Sequence, residues 1–312
     1  MSAPVILVTG ADLAPQARAL LSDYSLVFAG RTPTEEDIVA LCRAQDPVGI
    51  IVRYSKVGDA AMAAAPSLKV IAKHGSGTDT IDKTAAAARG IQVLAAAGAN
   101  AAAVAEHALA LMLACAKSVA TLDGRMRQGH WDKATHKSLE LEGRTVGLVG
   151  LGAIGQRFAR MAQAMGMRVI GFDPFAKEWP AFITRVEMED IWRESDVISL
   201  HCPLTPDNAR MVNAESLARC RQGVILINTA RGGLVDEPAL WAAVQSGKVF
   251  AAGLDSFSVE PMPADHIFLS EPRILLSPHI GGVTADAYVK MGVGAAENVL
   301  KVLAEAPMRR AF

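Results

Sequence analysis

A glycine turn in the middle of the chain constrains the fold more than any other feature. Gly150-Leu151-Gly152-Ala153-Ile154-Gly155 has the GxGxxG spacing, follows the apolar run 145–149 and opens the helical run AIGQRFARMAQAMG. Glycines serve many turns, but between a buried strand and a helix this spacing has a narrow meaning. The first permits the tight turn, the second lets backbone approach a pyrophosphate, and the third lets helix pack closely on strand. The helix start then offers free N–H groups and a partial positive charge to the phosphates. An acidic residue is expected about 20 residues on, at the end of the next strand. Asp173 stands 18 residues past Gly155, after the apolar run 169–172. A carboxylate there bonds the adenosine ribose hydroxyls and repels a 2′-phosphate, which favours NAD over NADP. Pro174-Phe175-Ala176 brings no arginine for that phosphate, and Lys177 is the one cation close by.

Around this turn, short β-rich runs alternate with Ala-rich helical stretches, the pattern of parallel sheets covered by helices. Runs 5–9, 48–52, 68–72 and 91–94 read as buried strands, with helices over 34–44, 59–65 and 81–89 between them. From about residue 101 to 128 a single long helix is predicted, because AAAVAEHALALMLACAKSV is strongly helix-forming. A second α/β unit begins at Gly143, with strands at 145–149, 167–172, 197–200, 224–227, 249–254 and 273–276. A last helix over 286–303 is expected to return to the first unit and cover its sheet.

Three polar residues follow strands of this second unit: Arg231 in INTARGGLVD, Glu260 in GLDSFSVEP and His279 in SPHIGG. Ligands of open α/β sheets bind at the carboxyl ends of the strands, so each strand can deliver one residue to a common place. Reduction of a 2-keto acid needs a hydride at C2 and a proton on the carbonyl oxygen. Histidine supplies a proton near neutral pH. A neighbouring carboxylate orients the imidazole and favours its charged form. An arginine grips a carboxylate with a fork that lysine lacks. Singly, each residue has an ordinary structural explanation; their joint placement after strands of one nucleotide fold is what carries weight.

With these motifs assembled, the chain resembles the D-isomer-specific 2-hydroxyacid dehydrogenases, a family that includes phosphoglycerate dehydrogenases and hydroxypyruvate reductases. The matching text is GLVGLGAIGQRFARMAQAMGMRVIGFDP, LHCPLTPDNARMVN, ILINTARGGLVDEPAL, GLDSFSVEP and LLSPHIGGVT. The resemblance implies an α/β fold of two domains. A Rossmann NAD-binding domain, 99–285, is inserted into a smaller flavodoxin-like substrate domain, 1–98 plus 286–312. It implies that Arg231 binds the substrate carboxylate, that Glu260 pairs with His279, and that His279 is the acid/base. It places Ala153 and Ile154 on the pyrophosphate, Asp173 on the ribose, and Pro203 and Thr205 beside the adenine. Thr229 and Asp255 would lie near the nicotinamide, Val104 against the cofactor, and Gly281 and Gly282 just after the acid/base. In KHGSGTD the backbone of Ser76 and Gly77 would hold the carboxylate. Arg53 and Lys73 match positions that bind substrate, in some members a substrate phosphate. Tyr54 and His74 are bulkier than the phosphoglycerate pattern and point toward hydroxypyruvate or glyoxylate. The text departs from the family at Thr80, Ala102 and Gly282-Val283. A homodimer is implied by the resemblance alone.

Other classes are disfavoured. A formal net charge of −1 sets up no field toward nucleic acid or membrane. Cys42, Cys115, Cys202 and Cys220 form no CxxC pair, which predicts a reduced, cytoplasmic protein without disulfides. His130, His136 and His266 have no ligand spacing, so no metal is expected. His107 and His201 read as structural. The alternatives are a non-catalytic NAD-sensing corepressor, against which the intact trio argues, and a formate dehydrogenase, which would carry Gln in place of Glu260.

Overall fold

A computed structural model describes residues 3–305; residues 1–2 and 306–312, assigned above to the first domain, lie outside the described residues. The chain divides into two units, one running up to Asn100 and resuming from Val283, the other spanning Ala101–Gly282.

In the first unit β1 (Val5–Val8), α1 (Pro15–Leu20), β2 (Ser25–Phe28), α2 (Glu35–Gln45), β3 (Gly49–Val52), α3 (Asp59–Ala63), β4 (Val70–Lys73), α4 (Lys83–Ala88) and β5 (Gln92–Ala95) alternate, and α11 (Ala285–Glu305) completes it. The strands are all parallel, in the order β2-β1-β3-β4-β5, which is the flavodoxin-like order. GIIV of β3 is buried at every position, as expected of a strand covered on both faces. Ile38, Cys42, Met62 and Ala86 fill one side of the sheet. Ala17 of α1 and Ala295, Ala296 and Val299 of α11 fill the other.

In the second unit α5 (Ala101–Lys117) and α6 (Val119–Arg127) precede β6 (Thr145–Val149), α7 (Ala153–Ala164), β7 (Arg168–Phe172), β8 (Ile183–Arg185), α8 (Met188–Glu194), β9 (Val197–Leu200), α9 (Ala214–Arg219), β10 (Val224–Asn228), α10 (Glu237–Gln245), β11 (Val249–Leu254) and β12 (Ile274–Leu276). The parallel order β12-β11-β10-β9-β6-β7-β8 has the Rossmann crossover between β6 and β9. The switch point therefore falls where the glycine turn leaves β6.

The single helix predicted over 101–128 is corrected by the structure. Ser118 adopts a left-handed conformation, φ 54°, and α5 and α6 meet there at a 61° bend. α5 stays against α7, β10 and β11 with its Ala face buried, whereas α6 has no buried residue. No single helix among the described residues is long and apolar enough to cross a membrane. Also absent from the sequence reading are α1, β2, β8, α8, α9 and α10; β2 and β8 are partly exposed edge strands.

Candidate active site

The glycine turn is shaped by contacts that exclude side chains. Gly150 has φ +95°, and a Cβ there would lie 2.7 Å from the His201 carbonyl carbon. A Cβ on Gly155 would lie 2.2 Å from the Gly150 oxygen. Around Gly152 nothing stands within 4 Å of a built Cβ. Gly152 is also the N-cap of α7, and no side chain caps the helix. The first N–H groups of α7, those of Ala153 and Ile154 included, thus border a cradle that a pyrophosphate fits.

Asp173 follows β7 and reaches back to this turn. Its Oδ2 accepts from the Leu151 N–H at 2.7 Å, and its Oδ1 from Phe175 and Ala176 at 2.8 and 3.1 Å. After β9, Asn208 ties the loop that carries Pro203 and Thr205. It donates to the Pro203 carbonyl (2.8 Å) and accepts from the Thr205 N–H (2.7 Å). Thr229, just past β10, has a buried hydroxyl with no hydrogen-bond partner. A buried donor of that kind is costly unless something bonds it, and a dinucleotide reaching from the turn along the strand ends would do so. Val104 sits in the first turn of α5 and is buried. The residues present fit a bound dinucleotide.

Arg231, Glu260 and His279 follow β10, β11 and β12, three neighbouring strands. His279 Nδ1 and Glu260 Oε2 are 2.7 Å apart, and Glu260 Oε1 accepts from the Phe257 N–H at 2.9 Å. The imidazole is half-exposed, leaving Nε2 as its outward nitrogen. Arg231 donates through Nη1 to the Ala230 carbonyl at 2.8 Å, and its own carbonyl accepts from Asn228 at 2.9 Å. The turn beginning at Gly232 lies against the loop that carries Glu260: a Cβ on Gly232 would fall 1.9 Å from the Phe257 carbonyl carbon.

His279 has φ +54°, a conformation uncommon outside glycine, and Asp255 holds the backbone around it. Oδ1 of Asp255 accepts from Ser277 Oγ (2.6 Å) and the Ile280 N–H (2.9 Å), and Oδ2 from the Gly281 N–H (2.7 Å). Half-buried Gly282 follows. Burial pushes the Asp255 carboxyl up, but bonds from His107, Ser277, Ile280 and Gly281 outweigh it and hold it below the usual carboxylate range. His107 of α5 lies 2.8 Å from Ser277 Oγ and 3.4 Å from Asp255. The reading of His107 as structural thus needs enlarging, because its partners are the groups that fix the His279 turn. No sequence spacing signals this; Asp255 lies 148 positions away, and only the packing of α5 on β11 joins them.

His201 is structural as expected. It packs on Phe158, its Nε2 lies 2.9 Å from Ser199 Oγ, and burial lowers its pKa to about 4. The fold therefore keeps a neutral imidazole. As pH falls below the ordinary histidine value near 6.5, the unfolded chain takes up a proton that the folded chain refuses until about pH 4. Lowering pH from 6.5 to 5 is expected to remove about 2 kcal/mol of stability through this group. Urea unfolding of the protein and of His201→Gln at both pH values checks this: the loss should be clearly smaller in the variant.

In the first unit, Arg53 follows β3. Its guanidinium pairs with the Asp12 carboxylate, donates to the Asp12 carbonyl (2.9 Å) and Tyr54 hydroxyl (3.1 Å), and lies 5.0 and 5.1 Å from the Tyr54 and Tyr288 ring centres. Lys73, the last residue of β4, donates to the Arg53 carbonyl at 2.6 Å. His74 is buried and its pKa is pushed down to about 4 by burial, then by the charges of Arg53 and Lys73. Ser76 Oγ bonds the Asn100 side chain at 3.1 Å, and Gly77 follows it in the chain.

Comparison with known proteins agrees with this fold. The family model described as D-isomer specific 2-hydroxyacid dehydrogenase, NAD binding domain, matches residues 109–281. A hydroxypyruvate reductase from Thermotoga maritima is 45% identical over 258 residues, 81% of this chain and 84% of that protein. A D-3-phosphoglycerate dehydrogenase from Mycobacterium tuberculosis is 39% identical over 308 residues, 97% of this chain but only 58% of that protein's length. A D-lactate dehydrogenase from Aquifex aeolicus, solved with NAD and lactic acid, superposes with a TM-score of 0.83 at 27% identity, covering 96% of this chain and 95% of that one. The chain belongs to the D-isomer specific 2-hydroxyacid dehydrogenase family, and its second unit contains the family's NAD-binding domain.

Proposed function

We propose that the protein reduces a small, unphosphorylated 2-keto acid, hydroxypyruvate or glyoxylate, to the 2-hydroxy acid, with Arg231, Glu260 and His279 as the working groups. The 2.7 Å contact between His279 and Glu260 at neighbouring strand ends carries this reading. NADH, when bound, supplies the hydride to C2. His279 holds a proton on Nε2 and delivers it to the carbonyl oxygen as that oxygen gains charge. Glu260 orients the ring through Nδ1 and balances the imidazolium. Arg231 grips the substrate carboxylate; in the first unit the backbone N–H groups of Ser76 and Gly77 are donors for a carboxylate. Ala153 and Ile154 bind the pyrophosphate, Asp173 the ribose, and Pro203 and Thr205 line the adenine. Thr229, Asp255, Val104, Gly281 and Gly282 surround the nicotinamide end.

Choice of substrate rests on Arg53. Its charge is already met by Asp12 and Tyr54 and is flanked by two tyrosine rings. A phosphate would have to displace that carboxylate or stand beside it, whereas a neutral hydroxymethyl group or hydrogen need not. Arg53 and Lys73 are thus proposed substrate contacts that recruit no phosphate. The relative called hydroxypyruvate reductase accords with this choice. The test is NADH and NADPH oxidation with hydroxypyruvate, glyoxylate and pyruvate, and NAD reduction with 3-phosphoglycerate. Turnover with hydroxypyruvate or glyoxylate at least tenfold above 3-phosphoglycerate supports the proposal; the reverse order refutes it.

Asp173→Ala is expected to weaken NADH binding by about tenfold or more, since a charge-assisted bond contributes about 1.5–3 kcal/mol, and to narrow the preference over NADPH; titration of both cofactors reads this directly. We further infer a cytoplasmic homodimer. The unpaired thiols of all four cysteines support a reducing setting. Val119, Met126 and Trp131, exposed on α6 and the segment after it, support a contact with a second copy there, which sedimentation analysis of the wild type and Trp131→Glu would test.

A further inference from the structure

Behind the loop that carries Glu260 lies a buried polar cluster to which no role has yet been given. Glu237 is the first residue of α10 and is 9% exposed. Its Oε1 accepts from the Ser258 N–H (2.9 Å), and its Oε2 from the Ser258 hydroxyl (2.6 Å) and from His266 Nε2 (3.2 Å). His266 Nδ1 accepts from the Phe268 N–H at 3.3 Å, so the ring's hydrogen is on Nε2 and points at Glu237. A buried carboxylate is costly unless donors surround it, and here all of them come from the Glu260 loop and from His266. Capping of α10 does not explain the arrangement, because Asp236 already accepts from the Ala239 N–H.

Position gives the cluster its meaning. Arg231 and Glu237 belong to one short stretch, joined by the turn that starts at Gly232. That stretch touches the Glu260 loop twice: at Gly232 against Phe257, and at Glu237 on Ser258. Phe257 in turn donates to Glu260, and Glu260 holds His279. A shift at Ser258 therefore moves the carboxylate that grips the imidazole.

We propose that Glu237, held by His266, is a positioning residue that sets the reach of Glu260 to His279. This rests on the Glu260–His279 reading above. Glu237→Gln keeps the volume but leaves one accepting oxygen where the carboxylate had two, so one of the Ser258 N–H and O–H groups loses its acceptor. Loss of registration of this size is expected to lower kcat about tenfold, with the KM for NADH changed by less than about twofold, since the cofactor turn is untouched.

The experiment measures kcat, KM and the pH profile of kcat/KM for NADH-dependent hydroxypyruvate reduction by the full chain. The variants are Glu237→Gln, Glu260→Gln, the double variant, Ser258→Ala and His266→Gln. In Glu260→Gln the alkaline limb is expected to move to lower pH. Glu237→Gln should move it the same way, and the double variant should be no slower than Glu260→Gln alone, because both act through one carboxylate. Ser258→Ala, which keeps the backbone bond, and His266→Gln should show smaller shifts in that direction, and they carry the test if Glu237→Gln does not fold. Limbs unmoved in the folded variants while Glu260→Gln moves, or a double variant whose loss is the product of the two single losses, would overturn the proposal and leave the catalytic pair standing. An unmoved limb in Glu260→Gln would overturn both.

Discussion

Replacing His279 with Ala is expected to lower kcat for keto-acid reduction by about a thousandfold while NADH binds as before. General acid–base groups contribute about 10²–10⁴ in rate, and on the proposed reading His279 combines proton delivery with a charge held by Glu260. The imidazole stands at the end of β12, while the phosphate cradle stands at the start of α7, so its removal leaves the cofactor's main contacts intact. The loss should therefore fall on kcat more than on cofactor affinity. Steady-state kinetics beside fluorescence titration of NADH separates the two. Replacement by Gln, which keeps a hydrogen-bonding group toward Glu260 but cannot cycle a proton, should rescue little.

Gly232→Ala is expected to be nearly as damaging, by a different route. Its added Cβ would stand 1.9 Å from the Phe257 carbonyl carbon, 2.1 Å from its oxygen and 2.5 Å from its α-carbon. All three atoms are backbone, so no flexible side chain can yield, and the Arg231 turn and the Glu260 loop must separate. Overpacking of a well-filled site usually costs about 1–3 kcal/mol and occasionally more; a clash this deep should reach about 3 kcal/mol or above. Misplacing catalytic groups by about 1 Å can cost about a hundredfold, so folded Gly232→Ala should lose at least that much in kcat/KM. Urea unfolding and kinetics on the same preparation test both parts. By contrast, Gly152→Ala meets no protein atom, and its penalty should appear in NADH affinity.

The features legible in the sequence are those whose physics is local. Strands buried on both faces leave continuous apolar runs, and the glycine turn sits between one such run and a helix, so β6, α7 and Asp173 follow in order. The placement of Arg231, Glu260 and His279 at neighbouring strand ends was legible because each follows such a strand. What stayed hidden depends on distant partners or on a single backbone angle. No Gly or Pro marks the break at Ser118 in a uniformly Ala- and Leu-rich stretch; one left-handed residue ends α5. β2 and β8 are partly exposed edge strands, without the fully buried run of β3 or β6. Arg53 reads as an available cation until Asp12, 41 positions earlier, is seen to occupy it. Glu237, Ser258 and His266 carry no motif, and their cluster exists only because α10 packs beside the segment after β11.

The account's central claim is that proton delivery from His279, tuned by Glu260, accompanies hydride transfer. Single-turnover oxidation of enzyme-bound NADH by hydroxypyruvate, followed by stopped-flow absorbance, tests it most directly. Hydride transfer should slow about a thousandfold in His279→Ala. A transfer that stays fast after that substitution would contradict the account.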